Sequence, residues 1–388
     1  MQVSAFPALI ARPDAVCEAA AFFKQKQISQ LCLLADPFLQ KAGNLAPLKE
    51  ALDQAGISYC YYDDFSGEPK LSKMAEIVAF ARENNVKGVI GIGGGSALDM
   101  AKILSITLVS DRPADDYWMM ANPLPEASLP SVMVPTTAGT GSEACSTNII
   151  ANHDGHKGWV WGPQTKPDLI ILDPCLGMSL PVDFTKWCAM DALIHAFEAA
   201  SNRYCHANAR AYALQALSMG LAALPKVLAD GDDRDARTTM LLASSWAGAA
   251  IDQVGTSVAH HISHALADIA PIHHGHATML GFAITLPWLV EGDLSDDAKK
   301  GFQAIATHLG LTDYRDLPDF WLGFMADNDI AVKLPASLID FDKAALITAL
   351  QSDHTQSMRN ACAKQVTDSD IVQFVDRLAS LPILESQA

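Results

Sequence analysis

The sequence predicts an α/β domain over residues 1–180, built on a parallel sheet, followed by an all-helical domain over residues 181–388. Three observations carry this reading. Apolar, β-branched runs alternate with helical periods through the first half. Beyond Ser179–Thr185 those runs thin, and alanine, leucine and methionine dominate long helical periods to the end. A chain of 388 residues is also longer than one ordinary core accommodates.

Taken in order, "ISQLCLLAD" (Ile28–Asp36) is a short apolar run ending in an acid and reads as the first strand. "SKMAEIVAFARENN" (Ser72–Asn85) has helical periodicity, with Ser72 as its expected cap. "VKGVIGIGGG" (Val86–Gly95) is a strand ending in glycines, and "SALDMAKILSITL" resumes as a helix. "SVMVPTT" (Ser131–Thr137) and "DLIILDP" (Asp168–Pro174) are further buried strands. Pro181 marks the joint. Helices such as "WCAMDALIHAFEAAS" and "ARAYALQALSMGLAALPKVL" follow it.

Composition narrows the function classes. Half of the residues are apolar and 18% are charged, as in an enzyme with large interiors. The formal net charge of −17, with no basic stripe, argues against nucleic acid as a partner. The opening "MQVSAFPALIARPDAVCEAA" has no cationic region followed by an apolar run, so no signal peptide is expected. No run of about 20 uninterrupted apolar residues exists, so no spanning helix is expected either. The eight cysteines include no CxxC pair, which points to reduced thiols and a cytoplasmic protein.

Two glycine-rich loops suggest a nucleotide site. "GIGGGSALDMAK" (Gly91–Lys102) puts glycines between a strand and a helix, where backbone N–H groups and the helix dipole attract phosphate. Ser96 is placed there as cap and phosphate donor. "PTTAGTGSE" (Pro135–Glu143) also follows a strand and adds the hydroxyls of Thr136, Thr137 and Thr140. Loops at the ends of parallel strands would share the crevice where open α/β sheets bind nucleotides. Asp36 can accept hydrogen bonds from a ribose diol and would repel a 2′-phosphate.

The second half concentrates its chemistry in histidine. Six of the twelve histidines fall between Val258 and His276. In a helix, His260 and His264 share one face, as do Asp191 and His195 in "MDALIHAFEA". Pro271 is expected to end the helix, and His273 and His274 to follow on a loop that Gly275 permits. Two such pairs and a loop histidine can converge on Fe(II), Zn(II) or a similar divalent ion. A solvated patch would not pair its side chains this way. A metal-sequestering tract would lack the interleaved Val258, Ile262, Leu266 and Ile269.

"GGGSALDMAK", "PTTAGTGSE", "MDALIHAFEA", "HHISHAL" and "HHG", in this order over nearly the whole chain, resemble the iron-containing (group III) alcohol dehydrogenase family. The resemblance implies a Rossmann-like dinucleotide-binding domain and a helical metal-binding domain, the architecture shared with dehydroquinate synthase. It implies NAD as cofactor, with NADH preferred over NADPH through Asp36, and one divalent metal: Fe(II) first, with Zn(II) or Mn(II) as alternatives. By position Asp191, His195, His260 and His274 match the metal ligands, and His264 matches the histidine beside the nicotinamide. Gly94, Gly95, Ser96 and Asp99 match the pyrophosphate and ribose region. Thr136, Thr137, Thr140 and Ser142 match the second cofactor loop, and Lys157 a cofactor-contacting lysine. The implied reaction is reversible hydride transfer between the nicotinamide and the carbon of a small alcohol or aldehyde, in a homodimer or larger assembly.

The chain departs from the family pattern at several points. His273 replaces the proline before the last ligand, and His261 a small residue. Ala189 replaces a glycine, and Glu68 stands near a common asparagine. His261 and His273 would then line the substrate pocket and tune substrate choice or, as readily, be polar residues satisfied by nearby backbone. His276 and His206 are read as structural or solvated, and Glu198 as a residue supporting the ligands or lying on a helix face. A glycerol or polyol dehydrogenase is the nearest alternative. A dehydroquinate synthase-like lyase fits less well, because it needs basic residues that the helical half lacks near its motifs.

Overall fold

In the computed structural model, which describes residues 6–384 other than Ser66, the chain forms two compact units. One comprises the residues up to Leu180 together with Asp232–Gly248, and the other Pro181–Gly231 with Ala249 onward.

The first unit holds a six-stranded sheet of β1 (Ala8–Ala11), β2 (Gln30–Ala35), β3 (Ser58–Tyr62), β4 (Gly88–Gly93), β5 (Ser131–Pro135) and β8 (Leu169–Leu172). All neighbours are parallel, in the order β1-β8-β5-β4-β2-β3. Two further strands, β6 (Thr147–Ala151) and β7 (Lys157–Trp161), pair separately as an antiparallel hairpin. An edge strand therefore precedes the run at Ile28–Asp36. Its four residues, ALIA, are too short for alternation to announce them.

Period-2 alternation feeds two cores. Leu31, Leu33, Ile90, Ile92, Val132 and Val134 face α1 (Glu18–Gln25) and α3 (Ala46–Ala55), while the short α2 (Pro37–Lys41) follows β2. Cys32, Leu34, Val89 and Met133 face α4 (Leu71–Glu83) and α5 (Gly95–Thr107). Burial on both faces explains the near-continuous apolar strands. Ser72 does not cap α4. The cap position is Lys70, and Ser72 lies inside the first turn.

The strand order also points to a candidate ligand site. From β2 the chain moves outward to β3, then returns to the other side of β2 to lay down β4, β5 and β8. The reversal lies between β2 and β4, and the crevice beyond such a switch point is the usual ligand site of open α/β sheets.

The second half supplies α6 (Val182–Ser201), α7 (Ala207–Ala229), α8 (Arg234–Val254), α9 (Val258–Ile269) and α10 (His274–Val290). After them come α11 (Asp296–His308), α12 (Leu317–Asp327), α13 (Lys343–Leu350), α14 (Gln356–Ala361) and α15 (Asp368–Ala379). Among the described residues, α7 is the one helix long and apolar enough to cross a membrane by length and composition. It packs along α6 through a small-residue face that includes Ala209, Ala213, Ala216 and Gly220. The first part of α8 belongs to the sheet unit because Gly141 and Gly248 approach each other backbone to backbone. A Cβ on Gly141 would stand 2.6 Å from the Gly248 Cα. Ser245 Oγ donates to Glu143 Oε1 at 2.6 Å beside that contact.

Candidate metal centre and cofactor loops

The metal-ligating candidates come from three helices of the second unit. Asp191 and His195 lie one turn apart on α6, a helix apolar enough to be buried along most of its length. His260 sits in the first turn of α9, and His274 is the first residue of α10. His274 is thus not on a loop. His273 is the cap position, and the helix begins immediately after it. Gly275 serves close approach and not a special backbone angle, since a Cβ there would collide with the Trp187 carbonyl oxygen on α6. Gly281 does the same against α9, where a Cβ would lie 2.6 Å from the Ala259 carbonyl oxygen. The two glycines let α10 rest on both helices that carry the other candidates.

One ligand atom from each of Asp191, His195, His260 and His274 lies within 4.8 Å of all the others. Asp191 Oδ1 is 3.4 Å from His260 Nε2 and 3.6 Å from His274 Nε2, and its Oδ2 is 3.8 Å from His195 Nδ1. The rings of His195 and His260 stack at 4.2 Å. Asp191 Oδ1 and His260 Nε2 are buried without a hydrogen-bond partner. Leaving such atoms unsatisfied costs about 1–3 kcal/mol each, more for a charged group. Ligand bonds of about 2.0–2.2 Å to one ion place neighbouring ligand atoms about 3–4 Å apart. The four residues fit a divalent cation.

The electrostatics agree with that fit. Burial pushes the Asp191 carboxyl up, but His195, His274 and His260 overcome it and hold the group well below the usual carboxylate range. Burial pushes His260 down, while Glu198 and Asp191 raise it to about 9. The carboxylates of Asp191 and Glu198 thus favour positive charge beside them.

Other side chains surround the four. Glu198, on α6, accepts from the backbone N–H groups of Ser257 and Ala259, both at 2.7 Å, and pairs with His260 Nδ1 at 2.6 Å. Ser263 Oγ lies 3.1 Å from His274 Nδ1 and 3.2 Å from the His274 carbonyl oxygen. That carbonyl can only accept, so the hydroxyl proton goes to it, Nδ1 donates, and Nε2 keeps its lone pair. His264 stands outside the four, one turn beyond His260, with its ring edge-on to His274 at 5.9 Å.

His261 is fully buried and donates from Nε2 to the Leu350 carbonyl at 2.8 Å, a backbone partner, and burial lowers its pKa to about 4. His273 packs edge-on against Phe184 at 5.0 Å and lies against Trp187. His276 stacks on the same Trp187 and donates to the Lys333 carbonyl at 2.9 Å. His206 caps α7 by accepting from Ala209 N.

The cofactor candidates lie in the first unit. Helix α5 starts at Gly95 with Gly94 in the cap position and no side-chain cap, so Ser96 falls within the first turn. An uncapped start leaves first-turn N–H groups available to an anion. The second loop adjoins the first. Thr136 N donates to Gly93 O at 2.9 Å, and a Cβ on Gly95 would come within 3.0 Å of Thr140 Oγ1. Thr137 Oγ1 stands 3.7 Å from the corresponding point on Gly94. Asp36, just past β2, lies beside Gly93, and its Oδ1 caps α2 by accepting from Phe38 N at 2.9 Å.

Asp99 and Ser142 face inward toward each other. The Asp99 carboxylate accepts from Ser142 Oγ and from Ile149 N, and lies 3.3 Å from Lys102 Nζ. Lys102 escaped sequence reasoning. Wholly buried, it donates to the carbonyls of Ser142, Cys145 and Thr147 and so shapes the second loop from below. A lysine one turn after Asp99 in the mostly apolar helix stretch "ALDMAKIL" was the available signal. Lys157, on β7, pairs with Glu68 at 2.8 Å.

Comparison with known proteins gives a consistent answer. Residues 7–174 match the model for iron-containing alcohol dehydrogenase, and residues 185–376 match that for the C-terminal part of the Fe-containing alcohol dehydrogenase family. A probable alcohol dehydrogenase, EutG, of Escherichia coli (strain K12) is 33% identical over 286 residues, 74% of this chain and 71% of that protein. A sulfoacetaldehyde reductase of Bilophila wadsworthia (strain 3_1_6) is 33% identical over 264 residues, 68% of each chain. The crystal structure of a sulfoacetaldehyde reductase from Bifidobacterium kashiwanohense in complex with NAD+ superposes with a TM-score of 0.85 at 24% identity. It covers 98% of this chain and 99% of that one, and shares the fold. Matched in both halves by the family's models, the chain belongs to the iron-containing alcohol dehydrogenase family.

Proposed function

We propose that the chain is a metal-dependent NAD(H) alcohol dehydrogenase and aldehyde reductase, catalysing reversible hydride transfer between the nicotinamide and a small alcohol or aldehyde. The observation that carries this reading is the convergence of Asp191, His195, His260 and His274 on one point, where Asp191 Oδ1 and His260 Nε2 are buried without a hydrogen-bond partner. When bound there, a divalent ion supplies Lewis acidity, which lowers the pKa of a hydroxyl by roughly 8–9 units, on the order of 12 kcal/mol.

The chain's own residues do the rest. Asp191 brings the charge that retains the cation, and the three imidazoles complete the set, with Fe(II) as the favoured ion. His264 lies outside the ligand set and is partly exposed, so its imidazole can carry a proton between the reacting oxygen and solvent. The start of α5, with Gly94, Gly95 and Ser96, would hold the pyrophosphate, beside the hydroxyls of Thr136, Thr137 and Thr140. Asp99 and Ser142 would act by keeping that second loop in shape, and Lys157 by adding positive charge near it. Asp36 would accept from the ribose diol and favour NADH over NADPH.

None of the eight cysteines is in a disulfide, which supports a reducing, cytoplasmic setting. A homodimer or larger assembly is expected from the family. Pure protein incubated with NADH and a panel of small aldehydes tests the reading: nicotinamide absorbance should fall with at least one of them. No consumption of NADH with any aldehyde, and no reduction of NAD by the matching alcohols, would remove it.

A further inference from the structure

We propose that Glu198 positions the metal-binding imidazole of His260, and that this carboxylate, without being a ligand, sets how tightly the centre holds its ion. The inference rests on the reading of Asp191, His195, His260 and His274 as a metal centre. Glu198 lies on α6 three residues beyond His195 and is 2% exposed. Its two oxygens receive three donors. Oε1 accepts from Ala259 N at 2.7 Å, and Oε2 accepts from Ser257 N at 2.7 Å and contacts His260 Nδ1 at 2.6 Å.

Helix α9 relies on this side chain. Its cap residue, Ser257, makes no side-chain capping bond, so a carboxylate from another helix satisfies the first-turn N–H groups and sets negative charge at the positive end of the dipole. Because both oxygens already accept backbone N–H groups, the imidazole is the donor in the third contact. Nδ1 therefore carries a proton, and in the neutral ring that a metal requires the lone pair lies on Nε2, the atom 3.4 Å from Asp191 Oδ1. The other tautomer would aim an N–H into the cluster and abolish the ligand. One buried carboxylate thus fixes the start of α9, the tautomer of His260 and the direction of its ring. A carboxylate behind an imidazole also raises its basicity toward a metal. At His274 a neutral hydroxyl, that of Ser263, stands at Nδ1, where His260 has a carboxylate.

The test is metal affinity of the full-length chain, measured by competition between metal-free protein and a chromophoric chelator for Zn(II), with the visible spectrum of the Co(II) form alongside. In Glu198→Gln the amide nitrogen must oppose either the Ala259 N–H or the donors at the other oxygen, so a bond is lost whichever way the amide turns. Zn(II) affinity should fall about 10–100-fold, and the Co(II) bands should shift. Glu198→Asp keeps the charge but withdraws it by one methylene. It should lose less affinity than the glutamine variant, and it provides the reading should that variant not fold. Folded variants that bind Zn(II) as tightly as the parent, with unchanged Co(II) bands and only a lower stability of the metal-free protein, would reduce Glu198 to a helix cap and overturn the proposal. A parent protein that takes up no Zn(II), or an Asp191→Asn protein that binds it as tightly as the parent, would instead overturn the metal centre itself.

Discussion

At the scale of single residues, each functional assignment separates from its neighbours by a different measurement. Asp191→Ala and His260→Ala each remove a buried ligand, so the purified proteins should contain well under one ion per chain by elemental analysis while the sheet unit stays folded. Full occupancy in either would take that residue out of the ligand set. His264→Ala should keep the ion and bind cofactor as the parent does, with turnover slowed by about 10²–10⁴-fold, the usual worth of proton relay. Loss of the ion in that variant would make His264 a ligand and require a new assignment. Asp36→Gly should raise kcat/KM with NADPH and lower it with NADH if, as proposed, one carboxylate both binds the ribose diol and repels a 2′-phosphate. A parent indifferent to the two cofactors, or a variant whose preference does not move, would leave Asp36 only its bond to Phe38 N.

At the scale of elements, the sequence was readable wherever periodicity carried the information. The strands at Gln30–Ala35, Gly88–Gly93, Ser131–Pro135 and Leu169–Leu172 announced themselves by apolar runs, and α6 and α9 by their i, i+4 pairs. Details at element ends were not legible. A serine next to three glycines reads as a cap, yet Gly94 takes that position because it extends without a side chain at the crevice. A glycine after two histidines reads as a turn, yet Gly275 lies inside the first turn of α10 because that helix rests on the Trp187 carbonyl. Gly275→Ala makes this testable. Alanine favours a helix by about 0.8–1.0 kcal/mol, whereas overpacking against backbone costs about 1–3 kcal/mol. The clash should win: the urea midpoint should fall and metal affinity should drop with it, because His274 is displaced. A more stable variant with unchanged affinity would show that α10 does not depend on the close approach.

At the scale of the whole molecule, the joint near Pro181 follows from a change in composition, but the return of Asp232–Gly248 to the first unit does not. That segment joins through Gly248 against Gly141 and through Ser245 on Glu143, contacts made by small residues that carry no periodic signal. The candidate cofactor loops and the candidate metal ligands thus belong to separately built units, and the four candidate ligands come from α6, α9 and α10. The account's central claim is that activity requires one ion per chain at this centre. The most direct test is to strip the protein with a chelator, titrate Fe(II) back without oxygen, and follow NADH oxidation with an aldehyde that the parent reduces. The account predicts negligible activity in the stripped protein and a linear rise that breaks at one Fe(II) per chain. Full activity in the metal-free protein, or no recovery with Fe(II), Zn(II) or Mn(II), would contradict it.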